Sequence, residues 1–245
     1  MIKAKKSLGQ NFLIDKNTVN KIINTIDINN KNIIEIGPGL GALTEKILEK
    51  NPNKLIIIEK DFELYKKLLK KFNKQKITII NDDALLYNFS KLKDFNLISN
   101  LPYNISSKFL VKTLKLNKNF RNLICMIQSE LAVKFDYKKG KMNKYKFLSE
   151  YCGVYKMLFN VSPNVFYPKP KVNSKVVKFE LFKQNINSQN LDFFLKTFFI
   201  NKRKKIKSNT SYNNLIKTEI ANKRYEDLKY SQILEIYKRF NFFIG

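Results

Sequence analysis

The sequence predicts a doubly wound α/β domain followed by a small helical domain, and three observations carry that prediction. Four short Ile-rich runs, residues 33–36, 55–58, 77–80 and 95–98, are too uniformly apolar for a sheet with one wet face and suit parallel strands covered on both sides. Segments with apolar residues at helical spacing separate them. After about residue 185 the strand signal stops, and the chain becomes Phe-, Asn- and Lys-rich with helical periodicity.

In chain order, Val19, Ile22, Ile23 and Ile26 recur at helical spacing behind Asp15, so an amphipathic helix precedes the first strand. Ala42, Leu43, Ile47 and Leu48 predict a helix after the first strand, and Phe62, Tyr65, Leu68, Leu69 and Phe72 one after the second. Residues 123–127 read as a fifth strand, and residues 154–159 and 176–181 as two more, an antiparallel pair. Such an alternation places ligands at the carboxyl ends of the strands. The division is expected at residue 184, with a ligand-binding unit over 1–184 and a helical unit over 185–245. Within the latter, residues 202–207 (Lys-Arg-Lys-Lys-Ile-Lys) are either a solvated helix face or a phosphate contact.

With 245 residues, 44% of them hydrophobic, the chain can bury a core of its own. No apolar run approaches the roughly 20 residues of a membrane span, and the N-terminus lacks the apolar stretch of a signal peptide, so a cytoplasmic location is expected. Cys125 and Cys152 have no metal-ligand spacing and there is no histidine, which argues against a zinc site or a histidine-based triad. The net charge of +27 points to a polyanionic partner, because cationic side chains that neutralise phosphates release condensed counterions. The preference for Lys over Arg, with abundant Asn, Ile, Phe and Tyr, also fits an AT-biased genome, so part of the charge has that origin. The rest favours nucleic acid over a small acidic substrate.

Glu35-Ile-Gly-Pro-Gly-Leu-Gly41 follows the first predicted strand and opens a helix. Glycines at 37, 39 and 41 remove side chains where a backbone must turn sharply and approach a ligand. This spacing is shorter than the dinucleotide fingerprint, and alone it also fits a plain structural turn. The second strand ends at Glu59, 22 residues after Gly37, where a carboxylate can accept hydrogen bonds from both hydroxyls of a ribose. The third ends in Asn81-Asp-Asp-Ala84, where the Asp83 carboxylate could accept a hydrogen bond from an adenine amino group. An exposed acid at a strand end is common, but a glycine loop and two acids at successive strand ends together point to a nucleoside pocket.

Asn100-Leu-Pro-Tyr103 follows the fourth strand, at the rim where a substrate would meet that pocket. The amino nitrogen of adenine is a poor nucleophile, because its lone pair is delocalised into the ring. The Asn100 side-chain carbonyl and the Leu101 backbone carbonyl can accept its two N–H hydrogens and favour a pyramidal nitrogen whose lone pair faces an electrophilic methyl. Pro102 fixes the backbone and, having no N–H, leaves that face free for acceptors. Tyr103 can stack on an extruded or loop-presented base.

Together with Gln10-Asn-Phe-Leu-Ile-Asp15, Ile58-Glu-Lys-Asp61, Asp83-Ala84, Asn100-Leu-Pro-Tyr-Asn-Ile-Ser106, Gln128-Ser-Glu130 and Phe166-Tyr-Pro-Lys-Pro-Lys-Val-Asn-Ser174, the glycine loop resembles the ordered motifs of the ribosomal RNA adenine N6,N6-dimethyltransferases. The resemblance spans roughly residues 3–181 and is greatest to the small-subunit, kasugamycin-sensitivity branch. It implies a class I S-adenosylmethionine-dependent methyltransferase fold, S-adenosyl-L-methionine as cofactor, and four methyl transfers to two adjacent adenosines in the 3′-terminal hairpin of small-subunit rRNA during ribosome assembly. It also implies that Asn11, Leu13, Gly37, Glu59, Asp83 and Asn100 contact the cofactor, with Gly39 in the same loop. Phe166 would be a second aromatic wall beside the target adenine; core packing is its other reading. A monomer acting on the immature small subunit is expected.

The nearest alternative is the large-subunit branch, whose members tend to have Ser and Lys in the glycine loop and Ile at the position of Leu101. Pro38, Leu40 and Leu101 favour the small-subunit branch. A non-catalytic RNA-binding assembly factor would not need an intact Asn100-Leu-Pro-Tyr103. A small-molecule methyltransferase would lack a steep salt dependence of substrate affinity. Three positions depart from the family pattern: Ser129 stands where Lys is usual, Asn173 where Asp is, and Lys146 where Gly is. All three bear on RNA-side loops rather than on the transfer chemistry.

Overall fold

The computed structural model describes residues 4–138, 140–200, 203–208 and 210–244. Its elements in chain order are β1 (Phe12–Leu13), α1 (Lys16–Ile23), β2 (Asn32–Ile36), α2 (Ala42–Leu48), β3 (Lys54–Glu59), α3 (Phe62–Lys71), β4 (Thr78–Asn81), β5 (Phe95–Asn100), α4 (Ser106–Leu114), β6 (Phe120–Gln128), α5 (Ser129–Phe135), α6 (Lys144–Cys152), β7 (Gly153–Val161), β8 (Phe166–Tyr167), β9 (Ser174–Leu181), α7 (Ser188–Phe198), α8 (Thr218–Ala221) and α9 (Tyr230–Ile244). Side-chain caps start several helices: Asp15 accepts from the Thr18 backbone N–H at 2.6 Å, and Asp61 from that of Glu63 at 3.0 Å.

Seven strands form one sheet in the order β4-β3-β2-β5-β6-β9-β7. β2 to β6 run parallel, and β9 is antiparallel to both of its neighbours. The chain works outward from β2 to β4 and then crosses to β5 on the other side of β2, so a crevice opens beyond the carboxyl ends of β2 and β5. Strand alternation assigns the isoleucines to two cores: Ile33, Leu55 and Ile57 face α1, α2 and α3, while Ile34, Ile36, Ile56 and Ile58 belong to the core shared with α4, α5 and α6. Each such side chain contributes about 1.5–3 kcal/mol by leaving water, which is why the runs read as nearly continuous apolar segments.

The predicted strands and the antiparallel pair are all present. The third strand starts at Thr78 rather than Ile77 and lies at the sheet edge, where Ile79 and Ile80 are only half-buried. In α3 the inward face is Leu64 and Leu68, with Phe72 just beyond, whereas Phe62 and Leu69 are exposed. The C-terminal segment is helical as expected. Phe147 of α6 has the rings of Phe194, Phe199, Tyr230 and Tyr237 around it at 5.6–6.0 Å between centroids, which accounts for the Phe-rich composition there. Of residues 202–207, Lys202 lies outside the described residues. Arg203, Lys204, Lys205 and Lys207 are exposed around a buried Ile206, in a bend and a short 3-10 turn rather than an α-helix. Like charges at helical spacing repel one another, and the Ile206 N–H instead donates to the Lys223 carbonyl at 2.9 Å. Among the described residues no helix is long and apolar enough to cross a membrane.

Candidate active site

One cleft of about 990 Å³, counting its open mouth, lies beyond the carboxyl ends of β2, β3 and β5. Asn11, Leu13, Gly37, Gly39, Glu59, Asp83, Asn100, Leu101, Pro102 and Tyr103 all line it. The sequence scatters these residues over more than ninety positions, and the crevice of the sheet brings them together.

The loop between β2 and α2 forms one wall. Gly37 and Gly39 have φ of 61° and 58°, a left-handed conformation that side chains disfavour. A Cβ on Gly37 would lie 3.2 Å from the Pro102 ring, and one on Gly39 2.9 Å from the Phe12 ring. The loop is thus wedged between the N-terminal segment and the Asn100 motif, where backbone conformation and close neighbours both favour glycine.

The acids are held from behind. Glu59 Oε2 accepts from the Gly39 N–H at 3.2 Å and Oε1 from the Asp61 N–H at 2.9 Å. Burial raises its carboxyl pKa against these two donors, with the Asp61 charge adding to the rise. Asp61 in turn holds the N-terminal segment, accepting from Lys5 Nζ at 2.9 Å and Gln10 Nε2 at 2.8 Å. Asp83 accepts from Lys60 Nζ and from the Leu85 N–H, both at 2.8 Å. Burial alone would raise its pKa, but these donors and the charges of Lys60 and Lys112 hold it below the usual carboxylate range. Lys112 also donates to the carbonyls of Ala84, Leu85 and Tyr87, fixing the loop that carries Asp83.

Glu35 opens the glycine motif near the end of β2. Its side chain is buried and accepts from Thr44 Oγ1 at 2.6 Å. Burial pushes its carboxyl up to about 8, with the Thr44 donor opposing and the Glu59 charge reinforcing the shift. Between about pH 4.5 and 8 the folded protein therefore keeps a proton that the unfolded chain releases, so stability falls as pH rises through that window. Glu35→Gln is expected to remove most of a loss on the order of a few kcal/mol in the cofactor-free protein. Urea midpoints of both proteins at pH 5 and pH 8.5 check this; equal pH dependence would contradict it.

The Asn100 amide nitrogen donates to the Asn11 carbonyl at 2.9 Å, which turns the side-chain oxygen into the end left to accept. Ser106 Oγ donates to the Pro102 carbonyl at 2.8 Å and makes only a long contact, 3.4 Å, with the Leu101 carbonyl. Tyr103 lines the cleft, and its hydroxyl shares a hydrogen bond of 2.6 Å with Ser174 Oγ. Phe166 does not join them. It is 3% exposed and packs in the core with Leu13, while its neighbour Tyr167 is 56% exposed. Of its two sequence readings, the geometry matches core packing, because strand alternation across the β1–β8 pair turns residue 166 inward. The departures Ser129 and Asn173 lie side by side, joined by a backbone hydrogen bond of 2.9 Å that needs neither usual side chain. Among the described residues no group of His, Cys, Asp or Glu could hold a metal.

A model of the ribosomal RNA adenine dimethylase family matches residues 1–243. The ribosomal RNA small subunit methyltransferase A of Mycoplasmopsis synoviae is 37% identical, with 97% of each chain covered. The protein of that name in Hydrogenobaculum is 34% identical, with 99% of this chain and 96% of the other covered. Among solved structures, a dimethyladenosine transferase from Plasmodium falciparum superposes with a TM-score of 0.77 at 23% identity, covering 94% of this chain and 97% of its own. The 23S rRNA methyltransferase ErmE gives 0.72 at 19%, covering 94% and 100%. At those identities the two structures speak to the fold alone.

Proposed function

Because the chain belongs to the ribosomal RNA adenine dimethylase family, we propose that it methylates two adjacent adenosines in the 3′-terminal hairpin of small-subunit rRNA at their exocyclic amino nitrogens, using S-adenosyl-L-methionine. The observation that carries this reading is the meeting of Asn100-Leu-Pro-Tyr103 with the nucleoside acids Glu59 and Asp83 in one cleft. The names of the relatives support the small-subunit reading over the large-subunit one. In this proposal residues 1–184 are the catalytic unit and 185–245 the RNA-substrate unit, and the protein works as a cytoplasmic monomer on the immature subunit.

The cleft's donors and acceptors fit an adenosyl group: two carboxylates for hydroxyl and amino hydrogens, and glycine backbone where a side chain would obstruct. When bound, S-adenosyl-L-methionine supplies an electrophilic methyl on a sulfonium. Glu59 then accepts from the ribose hydroxyls, its two backbone donors holding the carboxylate in place. Asp83 accepts from the adenine amino group, sharing its charge with Lys60. Asn100 and Leu101 take the two N–H hydrogens of the target amine on their carbonyl oxygens, which aims the nitrogen lone pair. Tyr103 stacks on the target base. Attack by the amine nitrogen on that methyl carbon would break its bond to sulfur, the electron pair staying on sulfur as the departing neutral thioether, and the cationic nitrogen so formed would release its proton to water afterwards.

No general base enters that sequence. Asp83 sits below the carboxylate range and the Tyr103 phenol is raised by burial, so neither titrates near neutrality. The single-turnover transfer rate at saturating cofactor and RNA is therefore expected to vary less than about threefold between roughly pH 6.5 and 8.5. A rise of unit slope through neutrality would contradict this and point first to Glu35.

The direct assay is transfer of isotope-labelled methyl by the purified protein to immature small subunits or their RNA, against free adenosine. The proposal expects RNA-dependent labelling with an apparent RNA affinity that falls steeply with salt. Equal labelling of free adenosine, or none of the RNA, would overturn it.

A further inference from the structure

We propose that Ser174 is a positioning residue for methyl transfer, its hydroxyl fixing the Tyr103 ring against which the target base stacks. The inference rests on the stacking role given to Tyr103 above. Stacking by itself needs only an aromatic face, which phenylalanine would supply equally, so the tyrosine hydroxyl requires a separate account. That hydroxyl lies 2.6 Å from Ser174 Oγ. Ser174 is fully buried and is the first residue of β9, where its backbone pairs with Gln128 of β6 and Val161 of β7. Just before it, the Asn173 carbonyl accepts from the Ser129 N–H at 2.9 Å. The anchor is thus built into the sheet, whereas Tyr103 belongs to the loop between β5 and α4.

The same arrangement gives the Phe166-Tyr-Pro-Lys-Pro-Lys-Val-Asn-Ser174 segment a contact with the site. Phe166, at one end, is committed to the core. Ser174, at the other, shares a hydrogen bond with the hydroxyl of Tyr103, a residue that lines the cleft. Burial raises the Tyr103 phenol, so it keeps its proton and one of the two hydroxyls always has a hydrogen to give. Without the anchor the ring explores other side-chain rotamers, and base binding must restrict it again.

The test compares wild type, Ser174→Ala, Tyr103→Phe and the double variant in transfer to small-subunit RNA. Each single variant is expected to lower kcat/KM for RNA about three- to tenfold, the scale of one hydrogen bond. Because both remove the same contact, the double variant should be no worse than the poorer single. Cofactor affinity should be unchanged, which a general packing defect would not predict. Tyr103→Phe probes the contact without altering the buried strand, so misfolding of Ser174→Ala cannot imitate the result. Wild-type kinetics in either single variant, or effects that multiply in the double, would overturn the inference. Failure of the wild type to methylate RNA would count against the proposed function instead. In that event the crystal structure of Ser174→Ala decides: a Tyr103 ring displaced or split between conformers supports the anchor, and an unmoved ring overturns it.

Discussion

Asn100→Ala is expected to slow single-turnover methyl transfer by roughly 10²-fold or more, because it removes an acceptor aimed at the reacting amine rather than one that merely holds a ligand. The hydrogen bond from its amide nitrogen to the Asn11 carbonyl spends the donor end on the protein and leaves the oxygen for the substrate. Asn100→Asp makes the point more sharply. It keeps the acceptor oxygen but puts a second oxygen in place of the amide nitrogen, facing the Asn11 carbonyl, where two acceptors repel, so the side chain should turn away and the rate stay low. Cofactor affinity, measured by calorimetric titration, should change much less than the rate in both variants. A wild-type single-turnover rate for Asn100→Ala at saturating substrate would remove Asn100 from the chemistry.

Glu59→Ala should act on the other half of the reaction. Loss of a carboxylate that accepts from ribose hydroxyls is expected to weaken cofactor binding by about 1.5–3 kcal/mol, the scale of hydrogen bonds to a charged group. It also strands the Gly39 and Asp61 N–H groups that the carboxylate now satisfies, so the glycine loop should loosen and a modest loss of stability accompany the binding defect. Glu59→Gln keeps one acceptor oxygen and should lose less on both counts. RNA affinity in the absence of cofactor should be nearly unchanged. Titration of Glu59→Ala with wild-type affinity for the cofactor would exclude the ribose role.

What the sequence disclosed follows from how locally each feature is written. Parallel strands covered on both faces need apolar residues at nearly every position, so the isoleucine runs announce themselves. The helices α4, α5 and α6 do not. In α6, Lys146 and Ser149 are buried alongside Phe147 and Leu148, which erases the contrast between a polar and an apolar face. Lys146 can go inside because its Nζ donates to the Lys141 carbonyl at 2.8 Å, a partner no periodicity reveals.

The same division runs through the cleft. The glycine loop, Glu59 and Asp83 were readable because each stands at a strand end at a spacing the chemistry requires. The contacts that orient the reactive residues join positions far apart: 89 residues separate Asn11 from Asn100, and 71 separate Tyr103 from Ser174. Phe166 and Tyr167 show how narrow the margin is, since one step along a strand exchanges core for solvent. In the charged run only the helix-face reading fails, over residues 203–207, where mutual repulsion opposes the helix that the spacing suggests.

The central claim, methylation of adenosine amino nitrogens in small-subunit rRNA, is tested most directly by mass spectrometry of nucleosides from small-subunit rRNA of cells lacking this chain, cells carrying it, and cells carrying its Asn100→Ala form. N6,N6-dimethyladenosine should be absent without the chain, present with it, and largely lost with the variant. Dimethyladenosine at the same level in all three would contradict the account.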